Sequence, residues 1–269
     1  MYEVYWQLSR KPFGESASPE LFFPAETHKA ALNRLSYVVK ENKGMALMVG
    51  ASGVGKTITL NRLLTGVDAT TIRQCRIVNP MLSDGDLLMA MVRQFNIKVP
   101  STDKATLYEA LQRQFMLWAE KGMRPLILIE DAHLIVGRRE LQLLQTLLPI
   151  AHEGQPVVTM ILSGSPYIYR RIGAVRGLNE RVAMCASLTP LPPEEVGPYV
   201  RHLVTWAGGS EEIFTDGAIV EIDKRAAGFP RRINRLAELA LVAGAAYDAS
   251  EIDEDLIRNV SQELVVRAA

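Results

Sequence analysis

Residues 45–57 of this chain read MALMVGASGVGKT. The first five are apolar and have the length of a strand. Gly50 to Thr57 then fit the pattern G-x-x-x-x-G-K-[ST] and open a stretch with helical spacing. Glycines allow the backbone to curl, so that successive N–H groups point inward at phosphate oxygens. The order of strand, glycine-rich loop and helix therefore predicts a phosphate-binding loop.

The same loop predicts residues that contact a nucleotide. The helix that follows the loop contributes the positive end of its dipole. Lys56 is expected to reach the β- and γ-phosphates of ATP, and the Thr57 hydroxyl is expected to bind Mg²⁺. The predicted ATP-binding residues of the loop are Gly50, Ser52, Gly53, Val54, Gly55, Lys56 and Thr57.

Short apolar runs alternate with helical patterns through the first 190 residues. The predicted strands are Met45–Val49, Arg76–Val78, Leu126–Ile129 and Val157–Leu162. The predicted helices between them are Thr57–Leu64, Asp84–Phe95, Lys104–Lys121 and Arg138–Leu148. Apolar strands that alternate with helices indicate an α/β fold, in which a parallel sheet of the P-loop NTPase type carries helices on both faces.

The two ends of the chain differ from this middle part. From Pro190 onward the strand pattern stops, and four helical patterns follow near residues 193–207, 215–227, 230–247 and 253–266. Residues 1–26 carry six aromatic residues and three prolines, which is typical of an ordered arm packed on a core. We therefore predict an N-terminal aromatic arm (1–26), a P-loop α/β core (27–190) and a small all-helical lid domain (191–269).

Composition narrows the class of protein. The 30 basic and 30 acidic residues balance, which gives no support to a bulk nucleic-acid binder. Residues 191–269 nevertheless hold 8 basic against 14 acidic residues, and the preceding 190 hold 22 against 16.

The two cysteines form no C-x-x-C pair, so neither a disulfide framework nor a zinc site is expected. No apolar run reaches the roughly 20 residues of a membrane span, so we expect a cytoplasmic protein without direct membrane insertion.

An acidic pair ends one of the predicted strands. Leu126–Ile129 runs directly into Glu130 and Asp131. A buried parallel strand that delivers two carboxylates at its carboxyl end suits a P-loop ATPase. One carboxylate holds the water shell of Mg²⁺, and the other orients the attacking water.

Several segments together resemble a known family, the AAA+ ATPases of the ExeA type, which are ATPase modules of general secretion. They are related to ATPases of transposition systems. The segments that carry the resemblance are Trp6–Phe13, Ser18–Phe23, the phosphate loop, the acidic strand, Gly164–Pro166 and Gly228–Asn234. The arm and the Gly-Phe-Pro-Arg-Arg-Ile-Asn segment are more specific than the loop, which many NTPases share. The resemblance implies an AAA+ fold with a helical lid, Mg·ATP as ligand and assembly into homo-oligomers.

The resemblance assigns a role to each acidic residue. Glu130 falls where the family has a metal-orienting Asp, so Thr57 and Glu130 are the implied metal residues. Asp131 falls where the family has the catalytic Glu, so the usual order of the pair is inverted. Each carboxylate therefore stands one methylene group nearer to or farther from the backbone than in the family. A misplaced base lowers the rate of hydrolysis strongly. We expect ATP binding to survive and hydrolysis to be slow or conditional.

Other positions follow from the same resemblance. Ile58 stands where a second Thr is common and offers only its backbone N–H to the α-phosphate. Either Ser163 or Ser165 is the polar sensor of the γ-phosphate. Arg231 is the implied second sensor in the lid. Arg181 is the implied arginine finger for a neighbouring subunit, and its rivals are Arg170, Arg171 and Arg176.

Three functions are compatible with these features. The first is an Mg·ATP-dependent AAA+ switch or motor for a macromolecular assembly, whose oligomers pair the basic core head-to-tail with the acidic lid. The second is an ATP-dependent regulator of transposition whose basic core contacts DNA phosphates. The third is a nucleotide-gated interaction module with little hydrolysis. The identity of the protein client does not follow from the sequence.

Overall fold

The computed structural model describes residues 2–14, 16–78 and 80–266. Met1, Glu15 and the last three residues of the predicted lid lie outside the described residues. The helices are α1 (Tyr2–Tyr5), α2 (Glu26–Lys40), α3 (Lys56–Thr65), α4 (Asp84–Gln94), α5 (Lys104–Ala119), α6 (Arg138–Leu147), α7 (Tyr167–Gly173), α8 (Pro193–Trp206), α9 (Asp216–Ala226), α10 (Pro230–Ala246) and α11 (Glu254–Val266). The strands are β1 (Met45–Val49), β2 (Ile72–Ile77), β3 (Arg124–Ile129), β4 (Ala151–His152), β5 (Gln155–Pro156), β6 (Thr159–Gly164) and β7 (Val182–Ser187).

The chain forms two compact units. The sheet unit contains residues 29–51 and 59–188, and the helical unit contains the described residues of 1–28, 52–58 and 189–269. None of the helices in the described part of the chain combines the length and apolar character needed to cross a bilayer.

Five parallel strands build the sheet unit in the order β2-β3-β6-β1-β7. The three central strands β3, β6 and β1 are almost completely buried, which explains their continuous apolar sequences. Because all five strands run in the same direction, their carboxyl ends lie along one edge of the sheet. The predicted parallel α/β fold is confirmed.

The two edge strands depart from the sequence prediction. β2 begins at Ile72, four residues before the predicted start, and β7 was not among the predicted strands. Both strands mix exposed and buried positions, since one side of an edge strand lacks a neighbouring strand. A search for continuous apolar runs therefore misses them. The short hairpin of β4 and β5 was also not predicted; its turn residues Glu153 and Gly154 have positive φ angles of 48° and 76°.

The helical unit contains α8 to α11, the N-terminal arm and residues 52–58. The arm packs on these helices through its aromatic residues. The Trp6 indole Nε1 donates a hydrogen bond to the Leu241 carbonyl (2.8 Å), and Phe13 packs edge-to-face on Phe214 with 5.8 Å between ring centroids. A Cβ on Gly244 would lie 2.7 Å from the Trp6 ring, so the arm approaches α10 where a glycine leaves room. The structure thereby identifies the surface that the arm covers.

Candidate functional site

The phosphate loop has the backbone that its glycines permit. Gly53 and Gly55 have φ angles of 83° and 101°, which side chains rarely adopt, and α3 begins at Lys56. A Cβ on Gly53 would lie 3.0 Å from the Arg231 Cβ, and one on Gly55 would lie 2.7 Å from His28 Nε2. Both glycines are therefore required by conformation and by space. Positive φ angles at these glycines are what a phosphate-binding loop requires of its backbone.

Arg231 lies directly against this loop. Its backbone N–H donates to the Gly53 carbonyl (3.1 Å), and its Nη1 donates to Ser52 Oγ (3.1 Å). The neighbouring Arg232 instead places its guanidinium over the Phe229 ring, 4.7 Å from the centroid. Of these two arginines at the start of α10, Arg231 is the one that contacts the loop.

A glycine and the Leu191 backbone fix the segment that carries Arg231. Gly228 has a φ of 70°, and a Cβ at this position would overlap with the Leu191 carbonyl oxygen. The Leu191 N–H donates to the Gly228 carbonyl at 2.8 Å. Any side chain at position 228 would push these backbones apart. Gly228 thus permits the close approach that positions α10 and its arginine.

His28 is a part of the site that sequence reasoning missed. It is buried, and its Nε2 lies 2.7 Å from the Val54 carbonyl oxygen of the loop. Since a carbonyl only accepts hydrogen bonds, Nε2 carries the hydrogen. Burial lowers the pKa of His28 below its ordinary value, while the bond to Val54 and the nearby Glu195 carboxylate oppose this shift. His28 is thus neutral and supports the loop through this hydrogen bond.

An apolar cavity of about 30 Å³ lies beside His28 and the loop. Its walls include Phe22, Phe23, Ile58, Leu191, Tyr199 and Pro230. Ile58 lines it from the loop side, where the sequence analysis assigned only its backbone N–H. The walls therefore combine the arm, the loop and the lid helices, all within the helical unit.

The acidic pair lies at the carboxyl end of β3 in the sheet unit. β3 and β1 end at the same edge of the sheet, and β1 continues there into the phosphate loop. At this edge the Gly50 N–H donates to the Gly164 carbonyl at the end of β6 (3.1 Å). Ser163 is buried on β6 opposite Met48. Ser165 Oγ is buried and has no hydrogen-bond partner among the described residues. The topology thus brings Gly50, the acidic pair and both serines to one edge.

The two carboxylates differ in their surroundings. Glu130 is buried, and its Oε1 accepts hydrogen bonds from Arg76 Nε (2.7 Å) and Nη2 (2.5 Å). The third Arg76 nitrogen, Nη1, donates to Asn61 Oδ1 on α3 (2.7 Å). Asp131 is about half exposed and has a left-handed backbone with a φ of 47°. Such a conformation is uncommon outside glycine and concentrates at functional sites.

His133 connects the ends of β3 and β6. Its Nδ1 accepts a hydrogen bond from the Ser165 N–H (3.3 Å), and its carbonyl accepts one from Arg171 Nε (3.3 Å). A Cβ on Gly164 would lie 3.1 Å from the same Nδ1. His133 therefore fixes the loops that follow these two strands, and it also engages Arg171.

The remaining arginine candidates are exposed. Arg181 ends a short 3-10 helix directly before β7, and Arg170 and Arg176 lie in and after α7. The guanidinium of Arg181 forms neither a hydrogen bond nor an ion pair with any described residue. It is therefore available to another molecule.

Known proteins match both the sequence and the fold. Residues 39–172 match the family described as AAA domain. The chain is 29% identical over 256 residues to General secretion pathway protein A of Aeromonas hydrophila. This alignment covers 94% of this chain and 46% of the relative. The chain thus spans about half the length of that curated relative.

Solved structures show the same architecture at lower identity. The ORC2 protein of Aeropyrum pernix, in ADPNP and ADP complexes, superimposes with a TM-score of 0.71 at 17% identity, over 95% of this chain and 72% of its own. Cdc6p of Pyrobaculum aerophilum superimposes with a TM-score of 0.75 at 15% identity, over 94% of this chain and 70% of its own. At these identities the likeness establishes the fold alone.

Proposed function

Because the chain carries an AAA domain within a P-loop AAA+ fold, we propose that it binds Mg·ATP and hydrolyses it as an oligomerising switch or motor for a macromolecular assembly. The observation that carries this proposal is the phosphate loop, with two obligatory glycines and Arg231 bonded to it. By its similarity to General secretion pathway protein A, we propose a secretion-type client and action in the cytoplasm.

The loop residues supply the nucleotide contacts in this proposal. Backbone N–H groups from Gly50 to Ile58 surround the phosphates, and Lys56 neutralises the β- and γ-phosphates. The Thr57 hydroxyl and the Glu130 carboxylate are oxygen donors. Mg²⁺ commonly takes one or two such protein ligands and completes its shell with phosphates and water, so this donor set fits it. When bound, the ion offsets the charge of the phosphates.

Asp131 is the proposed base that orients the attacking water. Its exposure leaves the carboxylate accessible, and its left-handed backbone fixes where the side chain starts. Ser163 or Ser165 senses the γ-phosphate. The partnerless Ser165 Oγ favours Ser165, since a buried hydroxyl without a partner gains most from a ligand. The inverted acidic pair supports slow or partner-stimulated hydrolysis.

Two arginines complete the proposed reaction. Arg231, already bonded to the loop, stabilises phosphate charge from the lid of the same chain. Arg181, exposed before β7, acts as the finger for a neighbouring subunit. The head-to-tail assembly this requires is supported by the basic excess of residues 1–190 and the acidic excess of residues 191–269. We retain 27–190 as the core and 191–269 as the lid in this proposal.

Equilibrium binding of ATP tests the proposed function. Lys56→Ala should weaken ATP binding at least about a hundredfold, because it removes the cation that neutralises the phosphates. Lys121→Ala, at an exposed position after α5, is the matched control and should bind like the wild type. Unchanged affinity in Lys56→Ala, measured by equilibrium dialysis, would remove the basis of the assignment.

A DNA-dependent function is the second candidate. The observation in its favour is the excess of 22 basic over 16 acidic residues in residues 1–190. Phosphate contacts would make DNA binding weaken steeply with salt, and ATP should stimulate it. Absence of DNA binding at low salt, measured by fluorescence anisotropy with and without ATP, would eliminate this candidate.

The third candidate is a nucleotide-gated interaction module with little hydrolysis. Glu130 and Asp131 in inverted order, together with Ile58 in place of a second Thr, favour it. A change in oligomer size on addition of ATP, without turnover in a single-turnover assay, would support this candidate. Turnover by the chain alone would exclude it.

A further inference from the structure

Strand β2 forms an open edge of the sheet unit, with β3 as its neighbour on one side. The Arg124 N–H donates to the Thr71 carbonyl, and the Glu130 N–H donates to the Ile77 carbonyl. Because backbone groups point alternately to the two sides of a strand, the odd-numbered residues of β2 bond to β3. The residues whose backbone groups face outward are therefore Ile72, Gln74 and Arg76.

The outward-facing groups of β2 differ in how they are paired. The Arg76 N–H donates to Gln94 Oε1 (2.9 Å), and the Arg76 carbonyl accepts from Gln94 Nε2 (2.6 Å). The Ile72 N–H donates to the Asp68 carbonyl (2.9 Å). Gln74 is exposed, and neither its N–H nor its carbonyl is bonded to another residue in the part of the chain that the structure describes. Gln74 thus keeps open the donor and acceptor that the Gln94 amide satisfies at Arg76, and such an edge is a template for another chain.

A groove of about 390 Å³ lies beside these open backbone groups. Phe95 and Trp118 contribute its aromatic part; their rings pack edge-to-face with 5.2 Å between centroids, and each residue is less than a tenth exposed. The other residues that line the groove are Ala69, Ile72, Arg73, Gln74 and Gln94. A peptide that adds to the edge of β2 can therefore also place a side chain against an apolar surface.

The groove carries a positive charge. Among the described residues that line it, only Arg73 is charged. Arg73 is exposed, and its Nη2 donates to the Met123 sulfur (3.3 Å), which is a weak acceptor. Arg73 forms no ion pair with any described residue. The groove is thus complementary in charge to a carboxylate.

We propose that the open edge of β2 binds an extended, acidic peptide segment of a partner protein by strand addition. One peptide residue pairs with the N–H and the carbonyl of Gln74, an apolar side chain lies against Phe95 and Trp118, and a carboxylate faces Arg73. Main-chain bonds supply affinity in this mode of recognition, and side-chain contacts supply specificity. The groove contains none of the residues assigned to ATP, so the inference goes beyond the proposed function and does not depend on it.

Selection from a library of random peptides of about seven residues, an ordinary strand length, supplies the probe, with the whole chain as bait. We expect the enriched peptides to alternate apolar with other residues and to contain Asp or Glu. Gln74→Pro removes the outward N–H and no bond to β3, and an edge strand tolerates proline there. It should weaken binding of an enriched peptide at least about tenfold in fluorescence anisotropy. Gln74→Ala keeps the N–H and should bind like the wild type.

A charge reversal tests the proposed role of Arg73. Arg73→Glu should weaken binding of the same peptide at least about tenfold, because repulsion replaces attraction. Arg113→Glu is the matched control, since Arg113 is exposed on α5 and does not line the groove. It changes the net charge by the same amount and should bind like the wild type. Equal weakening in the two variants would mean that the peptide is attracted by overall charge, and would overturn the proposal.

Amide hydrogen exchange separates strand addition from contact through side chains alone. Exchange of the Gln74 N–H in the wild type should slow when the peptide is bound, and unchanged exchange would overturn strand addition. Enrichment of no peptide that is sensitive to Gln74→Pro would overturn the proposal as well. A dimer that light scattering detects in the wild type and not in Gln74→Pro would also overturn it, because the edge would then bind a second copy of this chain. If Gln74→Pro does not fold, Arg73→Glu and hydrogen exchange decide.

Discussion

Two glutamates of this chain are buried and each is bonded to an arginine, but they lie at different positions in the fold. Glu130 and Glu221 each accept a hydrogen bond of 2.7 Å from the Nε of an arginine. Glu221 lies within α9, four residues before its partner Arg225, with Lys224 and Arg258 each 3.9 Å from one of its oxygens. Glu130 ends a central strand at the edge where the phosphate loop begins.

The difference shows that a buried ion pair does not by itself identify a functional site. The cations around Glu221 come from its own helix and from α11, so this cluster joins two packed helices. The cation on Glu130 comes from a neighbouring strand, and beside Glu130 in the chain lies the half-exposed Asp131. The proposed site role of Glu130 therefore rests on its position at the carboxyl edge of a parallel sheet, and not on its ion pair.

The largest expected contrast is in ATP hydrolysis. Glu130→Gln should lower the rate about a hundredfold or more, because the charge that we propose to hold the metal is lost. Glu221→Gln should leave the rate within about twofold and lower the free energy of unfolding by about 1–3 kcal/mol, since it removes the buried charge that Lys224, Arg225 and Arg258 surround. Steady-state hydrolysis and urea unfolding of both variants measure these effects. Equal loss of activity in the two would erase the distinction between them.

A swap of the acidic pair sharpens the same comparison. Glu130→Asp combined with Asp131→Glu restores the order typical of the resembling family. We expect an increase in kcat of about tenfold, because both carboxylates then have the reach that positions metal and water. KM for ATP should change little. A decrease in kcat would indicate that Arg76 and the left-handed Asp131 have adapted the site to the inverted order.

Arginines of the helical unit provide the next contrast. Arg231→Ala should weaken ATP binding about tenfold, because a charge-assisted contact beside the loop is lost. Arg225→Ala, in the cluster around Glu221, should not change it. Isothermal titration of both variants makes the comparison. Equal affinities for ATP in the two variants would mean that Arg231 stabilises only the structure of the loop.

The smallest expected effect concerns pH. The pKa of His28 lies below its ordinary value of 6.5 because the ring is buried, and burial lowers that of His202 as well. The unfolded chain therefore binds more protons than the folded chain below about pH 6.5. The free energy of unfolding should fall as pH decreases from there, by at most about 1.4 kcal/mol per pH unit for each histidine.

Urea unfolding of His28→Gln between pH 5 and pH 8, an interval of about 1.5 units on either side of the ordinary histidine pKa, checks this effect. The free energy of unfolding of the variant should depend less steeply on pH than that of the wild type. The pH dependence that is due to His202 should remain. An identical slope would mean that His28 does not titrate differently in the folded chain.

The sequence predicted those parts of the molecule that local pattern determines. The strand, glycine loop and Lys56-Thr57 are contiguous, so their structure follows from a few neighbouring residues. The central strands are recognisable because both of their faces are buried. The Glu130-Asp131 pair is found because it ends such a strand.

The parts that were missed depend on contacts distant in sequence. Arg76 meets Glu130 only because β2 pairs with β3, and 54 positions separate the two residues. His28 meets Val54 only because the loop lies against the start of α2. Neither residue has a local pattern that distinguishes it from an ordinary surface arginine or core histidine. These two residues can be recognised only when the order of the parallel strands and the contacts of the loop are known.

Single-turnover hydrolysis tests whether Asp131 orients the water that attacks an ATP bound by the loop. Wild type and Asp131→Asn are compared with Mg·ATP at protein concentrations that permit oligomers, after equal nucleotide binding has been verified. We expect measurable hydrolysis by the wild type, with a rate per chain that rises with protein concentration. The rate of Asp131→Asn should be at least about a hundredfold lower. Equal rates in the two proteins, with binding unchanged, would show that Asp131 is not the base.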